Sequence, residues 1–197
     1  MLEEMMGLHN LRIHTRIGAS HSVAAIRGFT LIEMVVTLAV LGILLAIAAP
    51  QYNTFFEKFR TKRAAETLAG SLYLAKSEAI KRNQVVSLVV TSSSGGATWC
   101  YGLTTANTCD CTTANACVLD TGVETAVSSA EYRGVSLTTP ASGTAFSFQP
   151  LRGTVTGNTV ELHSTNDYEV HTVVSGFGRV KTCSPSTNHI GGGYTEC

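Results

Sequence analysis

Six cysteines are the residues of this sequence best suited to chemistry, and they all lie in its second half: Cys100, Cys109, Cys111, Cys117, Cys183 and Cys197. Three of them lie close enough to Asp110 in the chain to suggest a metal cluster, but their spacing matches none of the usual paired zinc knuckles. An even number of clustered cysteines is instead typical of disulfides formed in an oxidising compartment. The sequence therefore predicts disulfides, no metal site and no cofactor.

Six cysteines allow many pairings, so the sequence alone leaves their connectivity open. The pairing that we favour joins Cys183 to Cys197 and closes a C-terminal loop through the glycines at residues 191–193. Cys100, Cys109, Cys111 and Cys117 would then pair among themselves.

Candidates for catalysis are few. His163, His171 and His189 are isolated in the sequence and belong to no metalloprotease or nucleophile-elbow motif. The glycine clusters at residues 95–96 and 191–193 are not followed by the Lys-Ser/Thr pair and helix that a phosphate site needs. A lone histidine on a strand is usually structural or solvated, so we predict that the protein is not an enzyme.

Two cations near the C-terminus form a candidate binding site. Arg179 and Lys181 alternate with Val180, so on a β-strand both side chains would point to one face. Lys plus Arg and Asp plus Glu number 14 each, so any attraction for nucleic acid must be local. The affinity of such a pair for DNA would fall steeply as the salt concentration rises, and binding would show little preference for DNA sequence. An ordinary solvated strand face is the alternative.

The elements that position these residues begin with an apolar stretch at residues 29–49, which carries one charged side chain, Glu33, and ends before Pro50. At about 1.5 Å per helical residue, this stretch is long enough to cross a hydrocarbon core of about 30 Å. An ionised side chain in hydrocarbon is unfavourable unless it finds a partner. The sequence therefore predicts a transmembrane helix in which Glu33 has a specific role.

The residues Gly28-Phe29-Thr30-Leu31-Ile32-Glu33 resemble the class III signal of type IV pilins and type II secretion pseudopilins. The resemblance implies that prepilin peptidase cuts between Gly28 and Phe29, and that the new N-terminal Phe29 is N-methylated. It also implies a role in subunit assembly for Phe29, Glu33 and Pro50. Glu33 would face the α-ammonium of Phe29 on a neighbouring subunit, whereas a merely tolerated charge near a helix end is the alternative. Pro50, which permits a bend, is also a feature of the family.

Beyond the apolar stretch, the pattern of apolar residues changes twice. Apolar residues from Phe55 to Ala79 recur at three- to five-residue steps, which predicts that the helix continues to about Arg82 with one packed stripe. From Gln84 onward, β-branched and aromatic runs separated by turn residues predict an antiparallel sheet. The predicted strands cover residues 85–90, 99–103, 135–138, 145–149, 159–163, 169–174 and 179–183, with a disulfide-pinned loop at 104–116.

Two stretches of this second part also resemble known proteins. Residues 146–153 and 159–162 resemble the second-half pattern of GspH/FimT-type minor pilins and pseudopilins. Residues 176–181 resemble the G-R-x-R element of FimT-type minor pilins, which is implicated in binding DNA during natural transformation. Lys181 stands in place of the second arginine, so it can neutralise a phosphate but lacks the planar fork of a guanidinium.

These observations predict an α+β, pilin-like fold: a long N-terminal α-helix, transmembrane in its first half, packed on a C-terminal antiparallel β-sheet domain with disulfides. The expected segments are a prepilin leader at residues 1–28, a transmembrane helix and filament core at 29–49, a helix packed on the globular domain at 50–83, and a periplasmic antiparallel β domain at 84–197.

The cysteine distribution and the resemblance together predict a single pass through the bacterial inner membrane, followed by transfer to the pilus filament. The N-terminus would lie in the cytoplasm and the C-terminal domain in the periplasm. Charges flanking the apolar stretch are too evenly balanced to decide this orientation.

The function that the resemblance implies is that of a minor pilin incorporated into a type IV pilus, supporting pilus assembly and, as an extension, DNA uptake in natural transformation. Its expected partners are other major and minor pilins, prepilin peptidase, the pilus assembly machinery of the inner membrane, and DNA. A pseudopilin of a type II secretion system would share the same leader, helix and sheet and is the main alternative. A simple membrane-anchored periplasmic protein is a third.

Overall fold

A computed structural model describes residues 28–119, 122 and 124–197, without the side chains of residues 48–51. Most of the predicted leader and the side chain of Pro50 therefore lie outside the described parts. The elements are helix α1 (Leu31–Arg82), β1 (Val86–Ser92), β2 (Trp99–Thr104), β3 (Val127–Ser128), a 3₁₀ turn (Ser129–Glu131), β4 (Val135–Thr139), β5 (Thr144–Phe148), β6 (Asn158–Ser164), β7 (Glu169–Val174) and β8 (Val180–Cys183).

The chain divides into two compact units, one ending at Ile43 and the other running from Leu44 to Cys197. In the first unit the large apolar side chains of α1 are all exposed, from 51% at Val36 to 83% at Leu31. So continuous an apolar surface is typical of a segment that contacts lipid or other protein. Among the described residues no single helix is both long and apolar enough to cross a membrane, but Leu31–Ile47 and Tyr52–Arg82 pass by length and composition when counted together as a bent pair.

In the second unit, α1 buries one face. Its buried side chains are mostly alanine and leucine at helical spacing: Ala64, Ala65, Leu68, Ala69, Leu72, Ala75 and Ala79. The predicted stripe is confirmed from Ala64 onward, but its first members, Phe55 and Phe59, are more than half exposed. These two rings stack on each other at 6.5 Å between centroids, ahead of the part of the helix that packs.

Helix α1 ends at Arg82, as predicted, because the next residues form a Schellman motif. Asn83 takes a positive φ of 51°. The backbone N–H of Asn83 then donates to the carbonyl of Ile80, and that of Gln84 to the carbonyl of Ala79, both at 3.3 Å. These bonds satisfy carbonyls that the end of a helix leaves without partners.

The strands form two four-stranded antiparallel sheets, whereas the sequence predicted one. Sheet 1 has the order β3-β2-β1-β5, and sheet 2 has the order β4-β6-β7-β8. The division arises because β5 does not pair with its neighbour in sequence, β4, but returns to β1, placing Phe148 opposite Val86. Residue alternation predicts strands but does not encode which of them pair.

One continuous apolar core joins the buried face of α1 to both sheets. Trp99 of sheet 1 lies within it and donates its Nε1–H to the carbonyl of Val135 in sheet 2 at 2.9 Å. Its ring stacks on Tyr132, whose hydroxyl is 3.0 Å from Oγ1 of Thr67 on α1. A single tryptophan thus connects the two sheets beside the helix.

The loop after β2 covers the outer face of sheet 1. Disulfides join Cys100 to Cys111 and Cys109 to Cys117. Cys117 is fully buried and lies directly over Gly102, where an added Cβ would come within 2.4 Å of the Cys117 Cβ. Strand β2 is consequently buried along its whole length. The third disulfide joins Cys183 to Cys197, the pair favoured by the sequence analysis.

Truncation of the helix stripe tests the packing of α1. We expect Leu72→Ala to lower the free energy of unfolding of the second unit by about 2–5 kcal/mol, because Leu72 is fully buried and its removal leaves a cavity. Leu74, two residues along, is 44% exposed and provides the matched control, for which Leu74→Ala should cost less than about 1 kcal/mol.

The measurement is urea denaturation of the full chain in detergent, followed by the fluorescence of Trp99, the only tryptophan of the sequence. An equal decrease in the free energy of unfolding for Leu72→Ala and Leu74→Ala would contradict the described packing of the helix.

The disulfide pattern is tested by mass spectrometry of peptides cut without reduction. We expect three linked pairs, among them Cys183 with Cys197. Replacing both of these with alanine should lower the free energy of unfolding by about 3 kcal/mol, because the bond closes a loop with a sequence separation of 14. A peptide linking Cys183 to any other cysteine would overturn the pairing.

Candidate functional site

The two cations singled out from the sequence lie at the start of β8, the edge strand of sheet 2. Arg179 immediately precedes β8 and Lys181 lies within it, both exposed, while Val180 between them is buried. In the β7–β8 register Lys181 lies opposite Val173, and the N–H of Ser175 donates to the carbonyl of Arg179 at 2.9 Å. The two side chains therefore project from the same face of sheet 2, the one opposite the core.

A second turn lies against the turn that carries Arg179. Gly178 has a φ of 66°, and a Cβ there would come within 2.1 Å of the Gly153 carbonyl oxygen, so only glycine fits this close approach. The Lys76 ammonium on α1 donates to the carbonyls of Gly178 at 3.0 Å and Phe177 at 3.4 Å. These contacts hold the two turns together at one end of the unit.

The side chains presented at this end are unusually exposed for their types. Phe177 is 85% exposed and Leu151 is 88% exposed. We call the group formed by Leu151, Arg152, Phe177, Arg179 and Lys181 the basic tip. Within the part of the chain that the structure describes, no hydrogen bond or ion pair involves the side chains of its three cations. Unpaired cations beside an exposed aromatic ring are suited to phosphates and to stacked bases.

The free edge of β8 is partly covered. The Tyr73 hydroxyl on α1 donates to the carbonyl of Val180 at 2.8 Å. Just beyond the other end of the strand, Ser184 forms two backbone hydrogen bonds with the C-terminal segment. The Ser184 N–H donates to the carbonyl of Thr195 at 3.0 Å, and the Cys197 N–H donates to the carbonyl of Ser184 at 3.2 Å. The Tyr194 phenol, which donates to the Glu66 carboxylate, lies beside this edge, and burial together with that carboxylate raises its pKa.

Two histidines that the sequence analysis treated as isolated are in fact close together, so that interpretation was wrong. His163 on β6 and His171 on β7 both approach Oε1 of Glu169, with Nε2 at 3.4 Å and 2.7 Å respectively. Glu161 joins them, so two carboxylates and two imidazoles lie on the outer face of sheet 2, all of them half-buried. We call this group the His/Glu cluster.

The β6–β7 register brings the His/Glu cluster together. Glu161 lies opposite His171, and His163 lies opposite Glu169. Burial alone would raise the pKa of the Glu169 carboxyl, but the His171 hydrogen bond and the neighbouring His163 outweigh it, so that its pKa lies below the usual range. The His189 side chain points elsewhere, with Nε2 3.3 Å from the carbonyl of Tyr194, although the His189 backbone forms a β-bridge with Glu169.

One sequence signal could have revealed the cluster. Residues 161–163 and 169–171 each read Glu-x-His, and on a strand residues two apart share a face. Two such motifs separated by one short turn predict a hairpin in which each histidine faces a glutamate. The histidines were judged as single residues, and this repetition was missed.

Two of the residues predicted for subunit assembly lie at the start of α1, Phe29 just before it and Glu33 in its first turn. Phe29 is 77% exposed and Glu33 is exposed. The N–H of Glu33 donates to Oγ1 of Thr30 at 3.2 Å, so Thr30 caps the helix and Glu33 occupies its first turn. A carboxylate there is favoured by the helix dipole, and within the described residues it forms no ion pair.

Two models of known families match the chain. The model described as type II transport protein GspH matches residues 64–178, more than half of the sequence, and the model described as prokaryotic N-terminal methylation motif matches residues 24–49.

Curated relatives match a shorter part of the chain. A fimbrial protein of Pseudomonas aeruginosa is 36% identical over 61 residues, which cover 31% of this chain and 40% of that protein. The pilin-like protein PilA1 of Thermus thermophilus is 39% identical over 71 residues, covering 36% and 44% respectively. The chain thus spans less than half the length of these relatives.

Solved structures with a similar arrangement were also found. The type IV minor pilin FimU of Pseudomonas aeruginosa has 19% identity and a TM-score of 0.41, over 68% of this chain and 94% of that one. The minor pseudopilin EpsH of the type 2 secretion system of Vibrio cholerae has 16% identity and a TM-score of 0.43, over 64% and 98%.

Proposed function

We propose that the chain, which belongs to the family of type II transport proteins described as GspH, acts as a minor pilin of a type IV pilus and supports pilus assembly. With its N-terminal methylation motif it is a membrane-anchored protein of pilin type, in a family of structural proteins. Its partners in this role are other pilins and the machinery that assembles them.

The observation that carries the proposal is the exposed apolar surface at the start of α1. From Phe29 to Ile47 the large apolar side chains are at least 51% exposed, and the only charged side chain among them is Glu33. Before assembly, lipid covers this surface. In the filament, the corresponding helices of neighbouring subunits replace the lipid, because packing between helices covers the apolar side chains that lipid covered before.

Glu33 sets the register of that packing. Cleavage between Gly28 and Phe29 creates a positively charged α-ammonium at the end of an apolar helix. In an apolar filament core, this charge and the Glu33 carboxylate of a neighbour are each unfavourable alone and are stabilised as a pair. In this role the protein is a substrate of prepilin peptidase and has no catalytic activity of its own.

Incorporation into surface fibres tests the proposal. In cells that assemble type IV pili, we expect the wild-type chain in sheared fibres with an N-methylated Phe29 as its first residue, detected by mass spectrometry. Glu33→Gln should be cleaved normally but be depleted from fibres at least tenfold, because the neighbouring α-ammonium loses its partner. Glu33→Asp, which keeps the carboxylate, should retain most of the incorporation.

A matched pair of glycines controls for cleavage. A Cβ at Gly28 or at Gly42 meets nothing within 4 Å, so neither substitution disturbs the subunit itself. Gly28→Leu should block cleavage by crowding the bond that is cut, whereas Gly42→Leu should be cleaved. If the wild type is cleaved but stays in the envelope, and its deletion blocks protein secretion instead of piliation, the protein is a pseudopilin of a type II secretion system.

A second candidate function, DNA uptake, is favoured by the basic tip. Its cations lack partners among the described residues, Arg179 and Lys181 share one exposed face, and Phe177 offers a ring on which a base can stack. Such a surface holds the phosphate backbone of DNA with little regard for sequence. Placed on a retractable fibre, it would capture DNA outside the cell.

DNA binding by the full chain in detergent, measured across a series of salt concentrations, tests this second function. We expect affinity to fall steeply with salt, and the slope of its logarithm to become shallower by about 1.4–1.8 in Arg179→Ala/Lys181→Ala, because two phosphate contacts are lost. Arg63→Ala/Arg133→Ala removes two exposed cations elsewhere and is the matched control. Equal effects of the two double variants would exclude the basic tip as the site.

A further inference from the structure

The His/Glu cluster has the composition of a metal site, and neither the pilin role nor the basic tip makes use of it. We propose that the outer face of sheet 2 binds one divalent transition-metal ion of the zinc class, with Glu161, His163 and Glu169 as its ligands. His171 is the positioning residue of the site. Imidazole and carboxylate are both established ligands of zinc in proteins.

The spacing of the ligand atoms matches a metal centre. One ligand atom from each of Glu161, His163 and Glu169 lies within 4.8 Å of the others. His163 Nε2 and Glu169 Oε1 are 3.4 Å apart. Ligands at about 2.0–2.1 Å from a tetrahedral zinc ion lie about 3.3–3.4 Å from one another. One pair is therefore already at the separation of bound ligands, and the Glu161 ligand atom lies within 4.8 Å of both.

Charge also favours a cation at this place. The Glu161 and Glu169 carboxylates approach each other on a half-buried face, where water screens their repulsion less than at an open surface. The exposed fractions of the Glu169 and His163 side chains are only 14% and 23%. A divalent ion between the two carboxylates converts that repulsion into attraction.

Further contacts hold the ligands in place before any ion binds. The Thr139 hydroxyl donates to Oε2 of Glu161 at 2.8 Å, and the Asn188 amide donates to Oε2 of Glu169 at 3.4 Å. His171 Nε2 lies 2.7 Å from Oε1 of Glu169 and fixes the orientation of that carboxylate. Hydrogen bonds of this kind orient metal ligands and raise affinity.

The donor set also indicates the class of ion. Calcium and magnesium prefer six or more oxygen ligands, which the described residues at this place do not supply. An imidazole nitrogen with two carboxylates suits zinc and its first-row neighbours. The ion would join β6 to β7 directly across the hairpin.

Zinc titration of the full chain in detergent, purified without a polyhistidine tag, tests the proposal by calorimetry. We expect one bound equivalent at the cluster and a rise in the Trp99-monitored melting temperature. His163→Gln and Glu161→Gln should each weaken binding at least tenfold, as should His171→Gln through its loss of orientation. Glu131→Gln removes an exposed carboxylate of the 3₁₀ turn, outside the cluster, and should leave affinity unchanged.

Two results would overturn the proposal. One is the absence of saturable zinc binding by the wild type. The other is equal affinity in the wild type and in His163→Gln/Glu169→Gln, which would assign the ion to other residues, such as the histidines at positions 9, 14 and 21.

A measurement on the wild type alone covers the case in which a variant fails to fold. X-ray absorption of the zinc-loaded protein should show nitrogen and oxygen ligands with one imidazole at the bound ion. Sulfur ligands, or several imidazoles, would exclude the cluster as the site.

Discussion

Burial of one face of α1 is the interaction on which the rest of the second unit depends. Alanine occupies five of the seven buried positions from Ala64 to Ala79, so the backbone of the helix can approach the sheets closely and larger strand side chains fill the core. Both sheets meet the helix in one core, although they share no strand. Trp99 reinforces this arrangement by bonding to Val135 across the division between the sheets. Without the helix, each sheet would expose its apolar face.

Local features of this fold could be predicted from the sequence because local rules produce them. The end of α1 at Arg82 follows from a change of periodicity and from Asn83, a residue that tolerates a positive φ. Strands β1, β2 and β4 to β8 follow from alternation and turn residues. The exposure of Arg179 and Lys181 around a buried Val180 follows from the two-residue period of a strand.

Features that depend on distant pairing could not be predicted in the same way. The pairing of β5 with β1 places residues such as Phe148 and Val86 side by side, and no local pattern encodes that choice, so one sheet was predicted in place of two. β3 was missed because two residues, Val127 and Ser128, are too few to show a period. The His/Glu cluster lies between these cases. Its two Glu-x-His motifs are visible in the sequence, but their opposition requires the register of β6 against β7.

The partly covered edge of β8 has a consequence for a protein of pilin type, whose family members pack closely together. An unprotected edge strand is a template on which an identical edge can add, and crowded copies would then join strand to strand into amyloid-like aggregates. Here the Tyr73 hydroxyl donates a hydrogen bond to the Val180 carbonyl. The segment after Gly193 forms backbone hydrogen bonds with Ser184, just beyond Cys183. These two contacts obstruct the addition of an identical strand at this edge. Contacts with neighbouring pilins would then fall to other surfaces, such as the exposed apolar start of α1.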